Sequence, residues 1–105
     1  MTRLEASIEK AVGQRLEKWL HLRGWAALYL KLNVLGMRGF PDRLILFRNG
    51  QALFVEFKRQ GEEPRKLQLY VHKVLEAMGF QVHCYDDVDN AFWGITEHIT
   101  EYYDV

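Results

Sequence analysis

The amino-acid sequence predicts an α/β (α+β) fold in which helices pack against a mixed sheet, and three observations carry that prediction. Residues 26–34, 42–47 and 52–58 read as successive strands, the last two joined by Asn49-Gly50, a strong hairpin signal. Segments with apolar residues at helical spacing stand on either side of this three-strand meander. A fourth strand returns after the second helix, which makes the sheet mixed.

The first helix spans about Leu4 to Leu22, with apolar residues at Leu4, Ile8, Ala11, Val12, Leu16, Trp19 and Leu20, and Gly24 stops it. From Ala26 to Val34 the period becomes two. Leu28, Leu30, Leu32 and Val34 share the side expected to be buried, with Tyr29, Lys31 and Asn33 opposite. Gly36-Met37-Arg38-Gly39 forms a loop, and Pro41 leads into the second strand, Asp42 to Phe47. The third strand, Ala52 to Lys58, runs antiparallel to it. Beyond the loop Gln60 to Pro64, Leu67, Tyr70, Val71, Val74, Leu75 and Met78 mark a second helix that Gly79 ends. Phe80 to Tyr85 is the fourth strand, and Asp86 to Asp89 turn the chain into a short last helix, about Asn90 to His98.

At 105 residues the chain is expected to form one domain over residues 1–105. With 49% apolar and 27% charged residues it has the make-up of a soluble globular protein, and its apolar runs are far too short to span a membrane. The N-terminus lacks the order of a signal peptide, so a cytoplasmic, intracellular setting is expected. Cys84 is the only cysteine, which rules out an intrachain disulfide and a thiolate zinc cage. The formal net charge is zero, so bulk charge does not point to nucleic acid. Locally, Arg38, Arg43, Lys58, Arg59, Arg65 and Lys66 fall near one another in sequence, while Glu97, Glu101 and Asp104 gather at the C-terminus. A basic face with an acidic tail and a scatter of solvated charges are equally compatible with that distribution.

The chemistry concentrates in Gly39-Phe40-Pro41-Asp42-Arg43 and Phe54-Val55-Glu56-Phe57-Lys58. Side chains alternate across a strand, so Glu56 and Lys58 point to the same side. A hairpin centred on Asn49-Gly50 brings Asp42 beside Glu56 or Lys58. Two carboxylates and an amine make poor core but a good magnesium site, because hard cations take oxygen ligands. Lys58 would then stand ready to orient a water or to stabilise charge on phosphate. The plainer alternative is a turn-capping Asp42 and an ordinary Glu56–Lys58 ion pair.

Two helical residues fit the first reading. Helical projection places Glu5 between Val12 and Leu16 inside the apolar stripe, with Glu9 at its edge. A carboxylate there is costly unless paired or bound to metal, although Thr2 and Glu5 also have capping-box spacing. Gln68 stands at the border of the second helix's buried face, within reach of the same sheet end. The four histidines, His21, His72, His83 and His98, have no mutual ligand spacing and read as surface or packing residues. Trp19, Trp25 and Trp93 read as core. No glycine-rich phosphate loop is present, and the single serine, Ser7, sits within a helix.

Together these residues resemble the restriction-endonuclease-like superfamily with its Pro-Asp…Asp/Glu-x-Lys signature, and more closely the VRR-NUC family of virus-type replication-repair nucleases. The matching features are Glu5-x-x-Ile8, Leu32-Asn33, Gly39-Phe40-Pro41-Asp42-Arg43, Glu56-Phe57-Lys58, Leu67-Gln68 and Gly79-Phe80-Gln81-Val82, across about Glu5 to Val88. The resemblance implies a restriction-endonuclease-like core of helix, three strands, helix and strand. It implies that Asp42, Glu56 and the backbone carbonyl of Phe57 hold Mg2+ or Mn2+ and that Lys58 is the catalytic lysine. Glu5 and Gln68 become supporting active-site residues, with Glu9 as a substitute for Glu5. Family members of this length come from phages and bacteria, resemble Holliday-junction resolvases and are homodimers.

The resulting expectation is a metal-dependent, structure-specific DNA endonuclease acting on branched DNA such as four-way junctions, in the host cytoplasm if phage-encoded. Arg38, Arg43, Arg59, Arg65 and Lys66 are the candidate DNA contacts. The segment Gly61-Glu62-Glu63-Pro64-Arg65-Lys66 is more charged than the Ser-Pro stretch that often opens the family's second helix. The alternatives are a nuclease of the same fold acting on flaps, nicked or single-stranded DNA, or a catalytically weak DNA-binding module.

Overall fold

The computed structural model describes residues 4–103. Its elements are α1 (Glu5–Arg23), β1 (Leu28–Lys31), β2 (Arg43–Phe47), β3 (Gln51–Phe57), α2 (Lys66–Ala77), β4 (Gln81–Tyr85) and α3 (Val88–Tyr103). The strands form one sheet in the order β1-β2-β3-β4. The first three are antiparallel neighbours and β4 runs parallel to β3, the mixed sheet expected from the sequence. The turn between β2 and β3 places both Asn49 and Gly50 at positive φ, 64° and 69°, which is why this dipeptide suits it. Thr2 and Asp104 lie outside the described residues.

Alternation along β3 divides the protein into two unlike halves. Leu53, Val55 and Phe57 project to one face and are fully buried against α1 and α3, with Ile8, Val12, Leu16, Ile45, Ala91, Phe92, Ile95 and Ile99. Each such side chain contributes about 1.5–3 kcal/mol by leaving water. Phe54 projects to the other face, where Val71 and Leu75 of α2 cover it together with Leu44, Phe40 and Val82. This second layer is one helix of 12 residues on a four-stranded sheet, so it covers only part of the face.

Three sequence expectations change. The inward side of β1 is the opposite one: Tyr29 packs against the larger core, while Leu28 and Leu30 are 58% and 37% exposed. The alternation was real, but the Glu9 carbonyl of α1 accepts the Tyr29 hydroxyl and its carboxylate holds Lys31, so the Tyr29 side faces α1 while Lys31 stays exposed at the edge. The last helix runs 16 residues to Tyr103 because its apolar stripe continues past His98 through Ile99 to Tyr102 and Tyr103. Trp19 and Trp25 pack on the core as expected, whereas Trp93 is 62% exposed.

Candidate active site

The β2–β3 register pairs Arg43 with Val55, so Asp42, one residue earlier, stands across from Glu56. Its backbone is pinned from the other side, where the Asp42 carbonyl accepts the Leu32 amide at 2.9 Å. Its carboxylate is pinned too: Oδ2 accepts the Phe57 amide at 2.8 Å. The loop that delivers Asp42 lies directly on the first turn of α2. Gly39 has φ of +81°, and a Cβ there would stand 3.0 Å from the Leu67 backbone, so only glycine fits.

Glu56 is 1% exposed, on the α2 side of the sheet. Gln68 Nε2 donates to its Oε2 at 3.2 Å, and Lys58 Nζ lies 3.9 Å from the same oxygen. Gln68 also accepts the Arg65 amide on its Oε1 at 2.8 Å. It thereby ties the N-terminus of α2 to the carboxylate, and a glutamate could not donate in its place. Lys58 is 5% exposed, and its amide donates to the Tyr85 carbonyl of β4 at 2.9 Å.

Burial pushes the Glu56 carboxyl well above its ordinary range, and the Asp42 charge and hydrogen bond push it further, against the pull of Lys58. A second carboxylate beside a buried one favours the protonated form of Glu56. Glu5, in the first turn of α1, is half-buried near the same charges. Burial and then Asp42 raise its pKa, while Lys58 lowers it.

The structure thus brings Asp42, Glu56, Lys58, Gln68 and Glu5 together, and it separates Glu9 from them. Glu9 is 5% exposed, pairs with Arg43 Nε at 2.6 Å and is also held by Lys31 Nζ at 3.1 Å. Arg43 stacks 4.4 Å above the Tyr29 ring, so its guanidinium is engaged within the fold. Arg38, Arg59, Arg65 and Lys66 are exposed. Arg59 lies 3.6 Å from Glu62. A cavity of about 360 Å³ is bordered by Lys58, Glu62, Glu63, Cys84 and Asp86.

Sequence reasoning passed over His72. One helical turn beyond Gln68, it is 7% exposed, with Nε2 3.5 Å from Glu56 Oε1. Burial lowers its pKa, and Lys58 acts in the same direction against Glu76. The i, i+4 spacing from Gln68 was the available signal.

Among the described residues no three His, Cys, Asp or Glu side chains gather as a ready-made cation cage. The oxygen donors on hand for a hard cation are the carboxylates of Asp42 and Glu56. The buried Glu56 Oε1, which has no hydrogen-bond partner, and the repulsion between Asp42 and Glu56 agree with that fit.

No family profile matches the chain. A 54-residue stretch is 48% identical to "Putative nuclease p44" of Acyrthosiphon pisum secondary endosymbiont phage 1, covering 51% of this chain. The chain spans 58% of the length of that relative. A solved structure described as a VRR_NUC domain superposes with a TM-score of 0.74 and 26% identity, over 90% of this chain and 95% of that one. The likeness in fold thus extends over nearly the whole of both chains.

Proposed function

We propose that the chain belongs to the VRR-NUC family and is a nuclease, a Mg2+- or Mn2+-dependent endonuclease that hydrolyses DNA phosphodiester bonds. The observation that carries this reading is the enforced proximity of Asp42 and Glu56, both beside the buried Lys58. Asp42, Glu56 and the Phe57 carbonyl would hold the cation, which when bound polarises a phosphate oxygen and acidifies a water. Lys58, kept dry and close to Glu56, stabilises negative charge that develops on the phosphate. Gln68 holds Glu56 in orientation, and Glu5 stands within electrostatic reach of Asp42 and Lys58. Arg38, Arg59, Arg65 and Lys66 contact the DNA backbone as exposed cations near this edge.

The preferred substrate in this reading is branched DNA, cut by a homodimer whose two sites make paired incisions. An apolar stripe on α2 supports the dimer: Leu67, Tyr70, Val74 and Met78 are 48%, 62%, 36% and 61% exposed. Leu28, Leu30 and Leu46 extend it across the uncovered part of the same sheet face. Exposed apolar side chains gathered on one face suit an interface between two copies.

Cleavage of four-way junctions, flaps, plain duplex and single strands with Mg2+ or Mn2+ tests the proposal, alongside mass by light scattering. Junction cutting is expected, with loss of at least about a hundredfold in rate in Asp42→Ala and Lys58→Ala while both stay folded. DNA binding without cutting of any substrate would make the protein a binding module. Uniform cutting of plain duplex would remove the junction preference, and a monomeric mass would remove the dimer.

A further inference from the structure

We infer that His72 is a positioning residue that sets the orientation of Glu56 by donating from Nε2 to the carboxylate Oε1, an inference resting on the metal-site reading above. Glu56 receives one α2 side chain on each oxygen. Gln68 Nε2 is 3.2 Å from Oε2, and His72 Nε2 is 3.5 Å from Oε1. The two residues stand i, i+4 on the same helix and act as a two-pronged clamp on one carboxylate.

The distance between His72 and Glu56 is only slightly beyond a good hydrogen bond. Glu56 Oε1 and His72 Nε2 are the two buried side-chain polar atoms without a hydrogen bond among the described residues. Leaving a buried donor or acceptor unpaired costs about 1–3 kcal/mol, so a shift of a few tenths of an ångström that joins them is favourable. Both residues are nearly dry, at 7% and 1% exposure, so water does not compete for the contact. A surface histidine would not be held in this way, and a packing histidine would not aim its nitrogen at a carboxylate.

The clamp has a consequence for the cation. Gln68 alone leaves the carboxylate free to turn about one contact, whereas two contacts from one helix fix its plane. Groups that orient a ligating carboxylate typically change metal affinity by about 10–100-fold when removed. The inference also gives the Gly39–Leu67 contact a role, because that contact sets how α2 stands against the strand entry that carries Asp42.

The test is Mn2+ affinity of the intact protein, read by electron paramagnetic resonance titration without DNA. His72→Phe keeps the bulk and removes the donor, and it is expected to weaken Mn2+ binding about tenfold or more. His72→Gln, which retains a donor amide, is expected to recover most of the affinity. Unchanged affinity in His72→Phe overturns the inference, as does an equal loss in the Phe and Gln variants. Should His72→Phe fail to fold, His72→Ala carries the same comparison with His72→Gln. Asp42→Ala separates the two levels. If it leaves Mn2+ affinity unchanged, the site itself is misassigned; if it abolishes binding while His72→Phe does not weaken it, only the role of His72 falls.

Discussion

Two glutamates are buried in this protein, and their surroundings differ in the way that separates structure from chemistry. Glu9 meets opposite charge, with Arg43 at 2.6 Å and Lys31 at 3.1 Å. Glu56 meets another carboxylate, Asp42, and its nearest cation, Lys58, is 3.9 Å away. The first arrangement is settled as it stands and joins α1 to the sheet edge. The second is frustrated, and a divalent cation would relieve it. Burial alone therefore says little about a carboxylate; what matters is whether its charge is already matched.

The comparison can be broken by exchanging which glutamate matters for stability. Glu9→Ala leaves Arg43 largely buried without its partner and is expected to cost about 3 kcal/mol, visible as a large fall in Tm. A change of only a few tenths of a kcal/mol would show that this pair is not structural. Glu56→Gln removes the repulsion with Asp42 and is expected to do the reverse, stabilising the cation-free protein by about 1 kcal/mol while abolishing cleavage. Destabilisation by Glu56→Gln comparable to that of Glu9→Ala would erase the distinction.

The pH dependence sharpens the same point with a smaller effect. The Glu56 carboxyl is raised in the folded protein from its ordinary 4.5, so the folded state holds a proton that the unfolded state has released. That contribution to stability is complete below 4.5 and is lost as pH rises through the raised folded value. Thermal unfolding without divalent cations should therefore show Tm falling from mildly acidic to mildly alkaline buffer. Mg2+ takes the place of the Glu56 proton, so its stabilising shift should grow along the same series and vanish in Glu56→Gln. An Mg2+ shift that is flat with pH would mean that Glu56 holds no such proton in the cation-free protein.

Local rules made much of the fold legible. The period-two runs, the Asn49-Gly50 turn and Gly79 all carry signals that depend on a few adjacent residues, and the structure follows them. The burial side of β1 was not legible, because alternation shows that two faces differ but not which one meets a helix. The answer came from Glu9 on α1, distant in sequence, which bonds the Tyr29 hydroxyl and the exposed Lys31. The same long-range pairing distinguishes Glu5 from Glu9, two residues only one turn apart on a single helix. Helical projection placed Glu5 deeper, yet Glu9 is the more buried, and it is engaged by Arg43 and Lys31.

The sequence by itself determined that Asp42, Glu56 and Lys58 converge, since strand alternation and a tight hairpin leave little freedom in which side chains meet. Only the tertiary structure decided what surrounds them. The approach of α2 brought Gln68 and His72 to opposite oxygens of Glu56, and burial beside a second carboxylate raised the Glu56 pKa. The physical reason is range. Hydrogen bonding and side-chain direction along a strand are set within a few residues. Desolvation and charge pairing depend on every element that packs against the group.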